Sequence, residues 1–73
     1  MKEIDGYQLL ANAIVLQAVN EYREALRQND TAAKWKKISL RRFFRSDWFE
    51  LLTNIDGELL MERLTEEVNN DRQ

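Results

Sequence analysis

The sequence predicts an all-α fold: a small helical bundle forming a single domain over residues 1–73. Three observations predict it. Apolar residues recur at spacings of three and four along most of the chain, the mark of helices with one buried face. There is no Pro, and the only Gly are Gly6 and Gly57, so short polar turns alone can end a helix. Hydrophobic residues make up 44% of the chain, a globular rather than a disordered fraction.

The first helix is expected over about 6–28, with Asp5 as its N-cap. Its main apolar stripe is Tyr7, Ala11, Val15, Ala18, Val19, Tyr22 and Leu26, which should pack against the rest of the chain. A second stripe begins apolar at Leu10 and Ile14 and continues polar through Gln17, Glu21, Glu24 and Gln28. Between Leu9 and Val19 only Asn12 and Gln17 are polar, and a helix apolar nearly all round is buried nearly all round. Either the remaining helices wrap this segment or another molecule covers it. The second reading makes Leu9, Leu10, Ala13, Ile14 and Leu16 a candidate oligomer interface.

Asn29, Asp30 and Thr31 form the first break, with Asp30 or Thr31 as the next cap. The triplet matches a glycosylation acceptor, read as chance because Met1 to Asp5 has no signal-peptide pattern. A second helix is expected over about 32–44. At about 100° per residue Lys34, Lys37, Arg41 and Arg45 share a face, with Arg42 beside them. Ala32, Ala33, Trp35, Leu40, Phe43 and Phe44 fall on the other side. Ile38 sits among the basic residues and Lys36 among the apolar ones.

A short helix over about 48–53 follows, capped by Asp47 in a capping-box arrangement with Glu50 or by the competing Ser46. Asn54-Ile55-Asp56-Gly57 is the next turn, with Asn54 or Asp56 as cap. The last helix runs over about 57–69, with Leu60, Met61, Leu64 and Val68 inward, and a frayed tail over 69–73.

Size and composition bound the function. A domain of fewer than roughly 70–80 residues rarely gains more than ~3–5 kcal/mol from a single core. With no Cys and no His, neither disulfides nor the usual zinc, haem or iron–sulfur ligands reinforce it. Good helix packing or self-association remains, so a homo-oligomer is expected. The same absences preclude a Ser–His or Cys–His nucleophile pair, and there is no Gly-rich phosphate loop. No catalytic residues, metal or cofactor are expected, and the chain reads as a non-enzyme. No stretch approaches a membrane span. The lack of Cys fits a reducing, cytoplasmic setting.

The net charge of −2 is a sum of unlike zones: −2 over residues 1–30, +6 over 31–46 and −6 over 47–73. Lys34, Lys37, Arg41, Arg42 and Arg45 are therefore a candidate face for an acidic partner or a phosphate. Glu58, Glu62 and Glu66 share a face of the last helix, read as a solvated stripe or a contact to the basic helix. Phe43, Phe44, Trp48 and Phe49, interleaved with Arg42 and Arg45, are read as the core of a corner rather than a base-stacking platform.

Leu9-Leu10-Ala11-Asn12-Ala13-Ile14-Val15, Phe43-Phe44-Arg45-Ser46-Asp47-Trp48-Phe49 and Ile55-Asp56-Gly57-Glu58 occur in that order. On these motifs most of the chain resembles short helical proteins of phages, prophages and integrative elements of Gram-positive bacteria. It departs from them in the middle, where Lys34 to Arg41 is compact and basic. The resemblance implies a mobile-element context, in the cytoplasm of a bacterial host, and a small helical fold. It supplies no catalytic residues. The function expected is binding to a host or defence-system protein. The alternative is nucleic-acid or nucleotide binding, including sequestration, through the basic helix over 34–45.

Overall fold

The computed structural model describes residues 6–28 and 30–71. They form four α-helices: α1 (Gly6–Arg27), α2 (Thr31–Phe44), α3 (Asp47–Leu52) and α4 (Gly57–Asp71). Asp5, expected to cap α1, and Asn29 of the acceptor triplet lie outside the described residues.

α1 is the spine, and the other three helices all pack on it. Its buried residues are Ala11, Val15, Ala18, Tyr22 and Ala25, mostly small, so neighbouring helices approach closely. α2 turns back antiparallel. The end of α1 (Ala25, Gln28) meets the start of α2 (Ala32, Ala33), while Ile14 and Ala18 meet Leu40 and Phe43. α4 runs parallel to α1, as the ion pairs Arg23–Glu67 and Arg27–Asp71 show.

Side-chain caps fix the corners. Asp30 caps α2, its carboxylate accepting from the Ala33 N–H at 2.8 Å. Ser46 caps α3: its hydroxyl accepts from the Phe49 N–H at 3.1 Å and donates to the Phe43 carbonyl at 2.6 Å. Asp47 is thus the first residue of α3 rather than its cap. Asp56 caps α4, accepting from the N–H groups of Glu58 and Leu59 at 3.0 and 3.3 Å. α4 continues helical through Asn69 and Asn70 to Asp71, where the sequence suggested fraying.

The corner is an aromatic cluster. Phe44 meets Tyr22 and Phe49 edge-on at 5.6 and 5.4 Å, and Phe43 meets Trp48 and Phe49 edge-on at 5.5 Å. α4 starts against this corner. A Cβ added to Gly57 would stand 2.1 Å from the Phe44 carbonyl oxygen, so only glycine lets the two backbones approach. The core is completed by Leu40, Leu52, Met61 and Leu64. Among the described residues it encloses no buried polar or charged residue.

Candidate functional site

Two surfaces carry the residues singled out in the sequence. The first is the outward face of α1. Leu9, Leu10 and Leu16 are 55%, 60% and 60% exposed, and Ala13 is exposed between them. The described helices therefore leave this segment uncovered rather than wrapping it. Ile14 differs from the other four: it is half-buried and packs against the core. Tyr7, expected on the inner stripe, is instead exposed.

Ile14 also borders a shallow, open groove of about 270 Å³ between α1, α2 and α3, lined by Ala18, Leu40, Phe43 and Trp48 and edged by Gln17 and Glu21. Trp48 joins the aromatic cluster by one edge and remains half-exposed. Leu10 lies one turn before Ile14 on α1, and the exposed Leu51 one turn after Trp48 on α3. The apolar surface of α1 thus extends towards α3.

The second surface is α2. Its inner stripe is Ala33, Leu40 and Phe44, with Lys37 half-buried on the same line. Trp35 lies roughly 180° around the helix from Phe44 and points outward. Its exposure of 65% corrects the expectation that it and Ala32 face the core. Ile38, 37% exposed, and Arg42 share this outer face with it.

The basic residues do not act as one face. The Arg45 guanidinium pairs with Glu58 on α4. Their hydrogen bond holds the Glu58 carboxyl below its ordinary range and raises Arg45 above its own. Arg41 donates to the Tyr22 hydroxyl at 3.1 Å, which ties it to the core. Lys36 reaches Glu21 on α1 at 3.3 Å. Glu21 is held low first by a hydrogen bond from Gln17 and then by Lys36. Among the described residues, Lys34, Lys37 and Arg42 carry no salt bridge. Ile38, Arg41, Arg42 and Arg45 line a shallow cleft of about 420 Å³.

The acidic helix is divided too. Glu58 contacts the basic helix, whereas Glu67 and Asp71 pair with Arg23 and Arg27 of α1. Glu62 and Glu66 are exposed. Among the described residues no cluster of three or more carboxylates is placed to hold a metal ion, and no helix is long and apolar enough to cross a membrane.

No protein family, curated protein or solved structure matches this chain.

The exposure of Trp35 is the feature that sequence reasoning missed. The signal was present: setting Ala33, Leu40 and Phe44 inward, at spacings of seven and four, places Trp35 opposite them. Counting it with its apolar neighbours concealed an indole flanked by Lys34, Ile38 and Arg42.

Proposed function

We propose that this chain is a small, non-enzymatic interaction protein that acts by binding another protein. One observation carries this reading: among the large apolar side chains that the core leaves outside, Leu9, Leu10 and Leu16 share a face of α1, and Trp35 and Ile38 share a face of α2. The face of α1, with Leu9, Leu10, Ala13 and Leu16, serves assembly. The outer face of α2 serves the target: Trp35 and Ile38 provide an apolar anchor, and Lys34 and Arg42 provide a cationic rim that selects an acidic surface. An apolar centre within a charged rim is the usual anatomy of a protein-binding patch. The resemblance to mobile-element proteins supports a host or defence-system protein as the target, in the bacterial cytoplasm.

The test is co-purification of the tagged chain from a Gram-positive host, beside a Trp35→Ala/Arg42→Glu variant. A protein retained by the native chain and lost with the variant supports the reading. Equal retention by both overturns it.

A second reading is nucleic-acid or nucleotide binding through the same helix, favoured by the exposed Trp35 indole beside Lys34 and Arg42. Aromatic rings among cations stack bases. Against it stand the acidic zones of the chain and the engagement of Arg45 by Glu58. Phosphate-driven binding weakens steeply between about 50 and 200 mM salt, so titration with a single-stranded oligonucleotide at both separates the readings.

A further inference from the structure

We infer that the uncovered face of α1 binds the same face of a second copy, with the two helices antiparallel and crossing at Ala13. This rests on the reading of α1 as an assembly face and specifies its occupant and geometry.

Charge patterning comes first. A third of the chain is charged, yet no residue from Gly6 to Asn20 is. The charged residues of α1 begin at Glu21 and end at Arg27. Depletion of charge marks the centre of a protein interface. A two-fold interface must also complement itself, which an uncharged apolar face does and a face of one sign does not.

Among the exposed residues of this window Leu9, Ala13, Leu16 and Asn20 form one line, at spacings of four, three and four, with Gln8, Asn12 and Gln17 exposed beside it. That is the seam of paired helices. Ala13 is both the midpoint of the uncharged window and the small residue on the seam. With no bulk at the crossing, the axes can approach to about 8 Å. Leu9 of one copy then meets Leu16 of the other on each side.

Direction follows from the ends. A parallel pair would set Glu24 beside its own copy and align the helix dipoles unfavourably. The antiparallel pair superposes the uncharged windows and carries the Glu24 side chains to opposite ends.

The window is about 22 Å long, and Leu10, Trp48 and Leu51 extend its apolar flank.

Cysteine cross-linking provides the test, because the native chain has no Cys. Ala13→Cys should oxidise to a disulfide-linked dimer. Leu9→Cys and Leu16→Cys should each stay monomeric on a non-reducing gel, and a mixture of the two should cross-link. Sedimentation of the native chain at ~100 µM should show a dimer, and Leu9→Glu/Leu16→Glu should weaken association at least tenfold. A dimer in which Leu9→Cys cross-links alone is parallel and overturns the pairing, while leaving assembly intact. A dimer in which none of these thiols cross-links overturns this surface. A native chain that is strictly monomeric overturns both the pairing and the assembly reading.

Discussion

The two halves of α1 share one helix and one inward stripe, yet the molecule treats them differently. From Gln17 to Arg27 the helix lies between α2 and α4. Ala18, Tyr22 and Ala25 are buried, and the flanks are tied by Glu21–Lys36, Arg23–Glu67 and Arg27–Asp71. From Gly6 to Leu16 it buries Ala11 and Val15 but leaves three leucines outside. The contrast shows how chain length limits a core. The three later helices bury the inward stripe of both halves, but on the outward face the first half keeps leucines where the second carries polar and charged residues.

The sharpest test of this division is a pair of truncations on the same helix. Tyr22 is 2% exposed, packs edge-on against Phe44 and holds Arg41 through its hydroxyl. Tyr22→Ala should cost about 3–5 kcal/mol, as large aromatic truncations do. That is comparable to the whole stability of a domain this small, so circular dichroism at 25 °C should show an unfolded chain. Leu10→Ala, assayed at low micromolar concentration, should stay within about 0.5 kcal/mol of the native chain. Equal losses at both positions would refute the division.

Gly57→Ala tests the corner that seats α4 beside the covered half. The new Cβ would press on the Phe44 carbonyl oxygen at 2.1 Å, so α4 must shift. Urea denaturation should show a loss of about 1–3 kcal/mol, the usual cost of overpacking. Gly6→Ala is the matched control in the uncovered half: nothing lies within 4 Å of its added Cβ, and no clash should result.

Smaller effects are expected at the caps. Asp30→Ala and Ser46→Ala each remove an acceptor from a helix N-terminus, and each should cost about 1 kcal/mol by the same measurement. Ser46→Ala should cost more than Asp30→Ala, because its hydroxyl also donates to the Phe43 carbonyl.

Much of this fold was legible from spacing and turn chemistry. The three breaks fall at the Asn29–Thr31, Arg45–Asp47 and Asn54–Gly57 segments because nothing else in the chain interrupts a helix. The inner residues of α4 follow directly from Met61, Leu64 and Val68. The choice between rival caps was less legible, because Ser46 and Asp47 have the same local chemistry and only the corner geometry separates them. Tyr7 and Trp35 were misplaced for a related reason: apolar character says that a side chain gains from burial, not that a neighbour reaches it. The basic face was legible as a charge run but not as a site. Its division between Glu58, Tyr22, Glu21 and solvent depends on contacts between helices, which no local pattern carries.

The weakest effect should come from the ion pair joining α2 to α4. Arg45 holds the Glu58 carboxyl below its ordinary value, first through a hydrogen bond and then through charge. A depressed folded-state value means that the unfolded chain binds the proton more readily. The contribution is therefore complete above the unfolded glutamate value of about 4.3, and it is lost as the pH falls through the lower folded value. Thermal melts should show the native chain slightly more stable than Glu58→Gln at pH 7, with the difference shrinking below about pH 4. Both side chains are well exposed, so added salt should shrink it too. A difference that survives both acid and salt would mean that Glu58 contributes through something other than its charge, and would refute the ion pair as its source.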